Sequence, residues 1–198
     1  MTTSPRWTSA DLEVLPDDGK HYEIVDGELY GSRQSHWDHQ MVSGQIFALL
    51  RGWSLETGAG RASIAPGVIF SEDDDVAPDV VWASAARLAM ALSPDGKLYA
   101  PPELAVEVLS PDPANERRDR DAKLKLYSRH GVAEYWIVDW RAWTITVYRR
   151  AGNASDQPLQ AVATRRAKNV LHSPLLPGFT APLERVFAGI LTSGAELR

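Results

Sequence analysis

The chain has 198 residues, 44% of them hydrophobic and 24% charged, which is ordinary globular usage with enough apolar material for one good-sized core. It has no cysteine, so disulfides, zinc–thiolate centres, iron–sulfur clusters and cysteine nucleophiles are excluded. The net charge of -5 lacks the overall basic footprint of a protein that grips duplex DNA for its living, leaving only a local basic stretch to face phosphate.

The opening residues MTTSPRWTSADLEVLPDDG lack the basic start and apolar run of a signal peptide, and no segment is long and apolar enough to span a membrane. No membrane partner and a cytoplasmic location are therefore expected. A single domain over 1–198 is expected, with 1–20 as an N-terminal extension and 21–190 as the core; Thr8-Ser9-Ala10-Asp11-Leu12 can open a short helix. HYEIVDGELY (21–30) reads as two strands around Asp26-Gly27, a strong hairpin signal.

From Ser35 to Trp53 the pattern turns helical, with Met41, Ile46, Leu49, Leu50 and Trp53 as the apolar face. Residues 61–70 read as a strand bent at Pro66-Gly67, and Asp73-Asp74-Asp75 as a turn. A strand over 76–83 follows, with Asp79 inside it, and a polar connection over 84–101 holds a short helix at 84–91. ELAVEVL (103–109) is the next strand. Asp112-Pro113 or Asn115 caps a helix that runs to about His130, where Gly131 ends it.

AEYWIVD (133–139) and WTITVYR (143–149) are the clearest strands. A polar loop at 151–158, one or two strands over 159–171, SPLLPGF at 173–179 and a short helix near 182–191 complete the chain. This order predicts an α/β (α+β) fold, a mixed sheet flanked by helices. The 103–109 and 133–139 strands, joined by a helical crossover, should lie parallel. Trp136, Trp140 and Trp143 crowd too closely in sequence all to enter one small core, so alternating exposure there points to a homodimer contact.

Two acids stand out. Asp79 in VAPDVVWA and Glu107 in ELAVEVL each interrupt an apolar run, and a buried carboxylate is costly without a cation, donor or metal. Either acid alone can sit at a strand end or pair with an arginine. Together they suggest strands meeting at one electronegative point, suited to Mg²⁺ or Mn²⁺ and its oxygen ligands. Glu134 is expected to hold an arginine and Asp139 to shape the turn after its strand. His36 and His39 lie three apart, with no third ligand in view; one His near a helix start is more often a cap or a packing residue.

The hairpin YEIVDGELY, the strand APDVVW, then PPELAVEVLSPD, RDRDAKLKLYSRHGVAEYWIVD and SPLLPGF, in that order, resemble the Uma-two family of restriction-endonuclease-like proteins within the PD-(D/E)XK nuclease superfamily. The resemblance spans about 21–190. It implies a restriction-endonuclease-like fold, dependence on Mg²⁺ or Mn²⁺, and DNA as the phosphodiester substrate, with Asp79 and Glu107 as metal ligands. The superfamily's lysine two residues after the acid is missing, since Leu109 stands there.

In the resembling family the lysine comes from the following helix, which offers Lys123 and Lys125. These point nearly opposite ways, about 200° apart, so only one can serve. Lys123, which shares a face with Tyr127 and His130, is the choice, with Lys125 as fallback and a wholly solvated helix as the alternative. Glu23 stands at a further family position, as a metal ligand, a carboxylate that orients the lysine, or a hairpin surface residue; His39 matches a recurrent family histidine. Two functions compete. One is a metal-dependent DNA endonuclease, and the other a noncatalytic dimeric scaffold on the same fold.

Overall fold

The computed structural model describes residues 5–32, 34–150 and 157–190. The polar loop expected at 151–158 lies almost wholly outside the described residues, as does residue 191 at the end of the last helix. After α1 (Ser9–Leu12), β1 (His21–Val25) and β2 (Glu28–Ser32) form the expected hairpin. Asp26 and Gly27 both take left-handed φ at its tip, as a tight primed turn requires. The hairpin is half of a four-stranded sheet ordered β2-β1-β5-β4, with β4 at Val68–Ser71 and β5 at Asp74–Val76.

The larger sheet has six strands in the order β10-β9-β8-β7-β6-β3. These are β3 (Gly60–Ile64), β6 (Val80–Ser84), β7 (Leu104–Val108), β8 (Glu134–Asp139), β9 (Thr144–Arg150) and β10 (Leu159–Arg166). Strands β7 and β8 are parallel, as the crossover length predicts, and the other pairs are antiparallel. The helix α3 (Ala85–Ala91) leaves β6, and the short pair β11 (Val170–Leu171) and β12 (Ala181–Pro182) precedes α6 (Leu183–Val186).

The helix α2 (Trp37–Thr57) covers one face of the large sheet, packing Val42, Ile46 and Leu50 on Val106, Trp136 and Val138. Its buried stripe is narrower than the expected Met41–Trp53 face and contains Ser43 and Ser54. Those hydroxyls donate to the His39 and Leu50 carbonyls one turn back, so they enter the core satisfied. The opposite face is covered by a continuous helix: α4 (Pro113–Arg117), a π-helical turn (Arg118–Ala122) and α5 (Lys123–His130).

That helix begins as expected. The Asp112 carboxylate accepts from the Ala114 and Asn115 amides, at 2.8 and 3.2 Å. At its other end Gly131 is left-handed, and the Arg150 guanidinium donates to the Tyr127, Ser128 and Val132 carbonyls.

Four expectations are corrected. The strand read over 76–83 is two strands in two different sheets, broken at 77–79, so Asp79 sits in a bend just before β6. The bent strand over 61–70 divides the same way, into β3 and β4. Asp74 and Asp75 are buried members of β5; only Glu72-Asp73 turns. The three tryptophans do not alternate between core and solvent: Trp136 and Trp140 are buried and Trp143 packs against the same core, stacked on Phe187. The turn between β8 and β9 folds them onto one side, so this cluster offers no dimer face.

Asp74 is affordable in a buried strand because donors converge on it. It accepts from the Asp26 amide (2.8 Å), Arg129 (3.0 Å) and His130 (2.8 Å), clipping the small sheet to the end of α5. Burial works to raise its pKa, but these partners outweigh burial and hold the carboxyl below its usual range. A depressed carboxylate stabilises the fold fully above its unfolded pKa and ceases to do so as pH falls through the folded value. Asp74→Ala should therefore cost about 2 kcal/mol near neutral pH, and the gap to wild type should narrow in strong acid, as the pH falls through the depressed folded value. Urea unfolding curves at the two pH values check both statements.

Candidate active site

The C-terminal end of β7 is where the chain concentrates its buried charge. Along β7 the side chains alternate, with Leu104, Val106 and Val108 toward α2 and Ala105 toward α5. Glu107 shares the α5 side, buried at 3% exposure. Lys123 meets it there, itself 1% exposed, with Nζ donating at 2.8 Å to Glu107 Oε1 and at 2.8 Å to Glu23 Oε1. Tyr127, one turn on, donates its hydroxyl to the same Glu107 oxygen at 2.7 Å. Lys125 is exposed. Of the two lysines, the buried one is Lys123, on the face that helix geometry gave it.

Glu23 comes from the hairpin and is buried, not a surface residue. Its Oε1 also accepts from the Ala77 amide at 2.8 Å, tying β1 to the bend before Asp79. Arg118 approaches its other oxygen at 3.4 Å and reaches Asp119 at 3.2 Å. Asp79 accepts from the Val108 amide through Oδ2 at 2.7 Å, so the end of β7 itself fixes the aspartate beside Glu107. His39 Nε2 lies 3.2 Å from the same oxygen and also meets the Val108 carbonyl. The four predicted residues, Glu23, Asp79, Glu107 and Lys123, are thus brought together.

Arg118, Asp119 and the engagement of His39 were not predicted. His39 matches a recurrent histidine of the resembling family and, taken alone, reads as a cap or packing residue; it is His36 that caps α2, accepting from the Asp38 amide. Arg118 joins the Lys123 side because of the π-turn, where the Lys123 amide bonds back to the Arg118 carbonyl, five residues away; Asp119, four residues before Lys123, shares that face in a regular helix as well. In a regular helix residues five apart are about 140° apart around the axis, so the usual periodicity points Arg118 elsewhere. Glu134 and Asp139 behave as expected: Glu134 pairs with Arg149 at 2.7 Å, and Asp139 accepts from the Arg141 and Ala142 amides of its turn.

Charge is unbalanced in this cluster. Four carboxylates face Lys123, Arg118 and the His39 ring. Burial pushes Glu107 up to about 8; Lys123 opposes the rise, while Asp79, Asp119 and Glu23 add to it. Asp119 is raised to about 6, again by burial first. Glu23 goes the other way: burial would raise it, but Lys123 and Arg118 together hold it below the carboxylate norm. Lys123 is raised despite burial, because Glu107 and Glu23 favour its charged form. His39 is likewise raised by Asp79 against the effect of burial.

Among the described residues, neither Asp79 Oδ1 nor Glu107 Oε2 takes a hydrogen bond. No three acidic or histidine side chains there form a ready cage for an ion. Two hard oxygens in a field short of positive charge fit Mg²⁺ or Mn²⁺, since Mg²⁺ retains several waters and needs one or two carboxylates. The residues therefore fit the group that the family resemblance implies.

The family model described as "Uma2: Putative restriction endonuclease" matches residues 9–184. This chain belongs to the Uma2 family. Among solved structures, this Uma2 chain is similar to a "putative nuclease belonging to DUF820" from Anabaena variabilis ATCC 29413, with a TM-score of 0.74 and 17% identity. The match covers 91% of this chain and 97% of that one, and it shows a shared nuclease-like fold. No curated protein matches.

Lys123 is the cation that makes the buried acids tolerable. Lys123→Met should destabilise the protein by about 3–5 kcal/mol, the usual cost of leaving a buried charge unpaired. Adding Glu107→Gln should recover part of that loss. Urea unfolding of wild type, the single variant and the double variant measures it; equal losses in both variants would mean that Lys123 contributes packing alone.

Proposed function

We propose that this Uma2 protein is a divalent-metal-dependent endonuclease that hydrolyses DNA phosphodiesters. The observation that carries the reading is the convergence of Asp79 and Glu107 at the end of β7, each with one oxygen anchored and one without a partner. Asp79 and Glu107 would hold Mg²⁺ or Mn²⁺. Bound there, the ion supplies Lewis-acid polarisation of a phosphoryl oxygen and a water acidic enough to attack near neutral pH.

The chain's own groups do the positioning. Lys123 stays protonated across the physiological range, so it acts as a fixed charge and not as a base. Through Oε1 it fixes the rotamer of Glu107, and Tyr127 braces the same oxygen. Glu23 holds Lys123 from the hairpin side, and Arg118 approaches the other Glu23 oxygen. His39 orients Asp79 from α2. Four separate elements thus set the two carboxylates, and little reorganisation remains when a phosphodiester arrives.

Metal binding to the native state alone raises stability by mass action, about 2.7 kcal/mol at a hundredfold excess over Kd. For a chain of this size that is a rise in Tm of roughly 5–10 °C. Mg²⁺ or Mn²⁺ should produce this shift, Asp79→Asn should abolish it, and His39→Ala should weaken metal affinity by about 10–100-fold. Supercoiled plasmid should be nicked by the wild type with Mn²⁺ and not by Asp79→Asn. A Tm unmoved by either metal, together with intact plasmid, would leave the noncatalytic scaffold as the function.

A further inference from the structure

The strand register carries the active-site end of the large sheet out to its far edge. Glu107 pairs with Ile137, Ile137 with Thr146, and Thr146 with Thr164. Two pairs further toward the same end, Asp139 lies beside Thr144 and Thr144 beside Arg166. Three inter-strand steps and two residues of rise place the Arg166 backbone about 16 Å from that of Glu107. Arg165 precedes it and Lys168 follows in the turn to β11; all three are exposed. Among the described residues none of the three has a carboxylate within ion-pair distance, whereas Arg120 and Arg141 nearby are paired.

The composition sharpens this. Residues 157–183 contain no Asp or Glu, although the chain has 26 acids and a net charge of -5. Alternation sends Arg165 to the α2 side, with Ile145, and Arg166 to the α5 side, with Thr144. The cations therefore surround the end of the edge strand from both faces. A separation of about 16 Å is within the span of a few nucleotides of a duplex, so one DNA molecule can set a phosphate at the acid cluster and another on this rim.

We propose that Arg165, Arg166 and Lys168 form a phosphate-binding rim that seats the DNA backbone flanking the scissile position. The proposal rests on the nuclease reading for its substrate but not on catalysis. The competing role for charges on an edge strand is to block edge-to-edge pairing of β10 with another copy.

The test compares wild type with a variant carrying Arg165→Ser, Arg166→Ser and Lys168→Ser. A control variant carries Arg51→Gln and Arg61→Gln, exposed cations at the other end of α2 and of β3. Binding of a fluorescein-labelled, random-sequence duplex is followed by anisotropy against salt, once in EDTA and once in Ca²⁺, with size-exclusion profiles and melting curves alongside. The triple variant should show a log K against log salt slope shallower by about two to three units, while the control keeps the wild-type slope and all three proteins melt alike.

An unchanged slope in the triple variant overturns the rim, as does an equal loss in the control or a wild type that does not bind duplex at all. Aggregation of the triple variant with unchanged affinity assigns the cations to edge protection and also overturns it. Plasmid nicking is scored separately. Rim-dependent binding without nicking removes the endonuclease and keeps the rim; nicking with an unchanged slope does the reverse.

Discussion

A single buried ammonium is shared by two carboxylates from different sheets, and the rest of the site is arranged around it. Lys123 on the crossover helix bonds Glu107 of the large sheet and Glu23 of the hairpin sheet, each at 2.8 Å. A lysine this deeply buried is stable as a cation only with such partners, and each glutamate in turn depends on it. The three elements are thereby locked in register. The Glu23 bond to the Ala77 amide then fixes the bend that presents Asp79.

The same arrangement leaves the site short of positive charge. Arg118 adds one more cation, yet Glu107 is still pushed up to about 8 by burial and by its acidic neighbours. Packing alone would be served better by apolar side chains here, since buried ion pairs seldom stabilise a core more than hydrophobic replacements do. A set of acids held together at this cost makes physical sense when a divalent cation completes it. The helix that covers the site shares the cost: its π-turn gives up regular hydrogen bonding so that Arg118 can join Asp119 and Lys123.

Much of this was legible in the sequence, for reasons that differ by residue. Glu107 was visible as an acid in an apolar strand, and the helical crossover fixed β7 and β8 as parallel neighbours. Lys123 followed from helix geometry combined with the family pattern, since Lys125 projects the other way. Asp79 was picked out but misplaced in the fold: two short strands of different sheets run together in sequence as one apolar stretch, and only the pairing partners reveal the break. Asp74 was hidden inside a run of three acids that composition reads as a turn. Arg118 was out of reach because a pattern counted at 3.6 residues per turn cannot show an inserted π-turn; Asp119, four residues before Lys123, was within reach of the i, i+4 rule and was passed over. His39 carries no local signal, because its partner lies forty residues on. The family match and the shared fold support a nuclease; the metal is a proposal that rests on the geometry of the acids, and DNA as its substrate is a proposal that rests on the family.

The central claim is that Lys123 holds Glu107 by one oxygen so that the other, with Asp79, can take a divalent cation. Crystals soaked in Mn²⁺ and measured for anomalous scattering test it directly. The account predicts a peak within bonding distance of both Asp79 and Glu107, with the Lys123–Glu107 contact still in place. No peak between the two carboxylates, or one reached only after Glu107 has left Lys123, would contradict it.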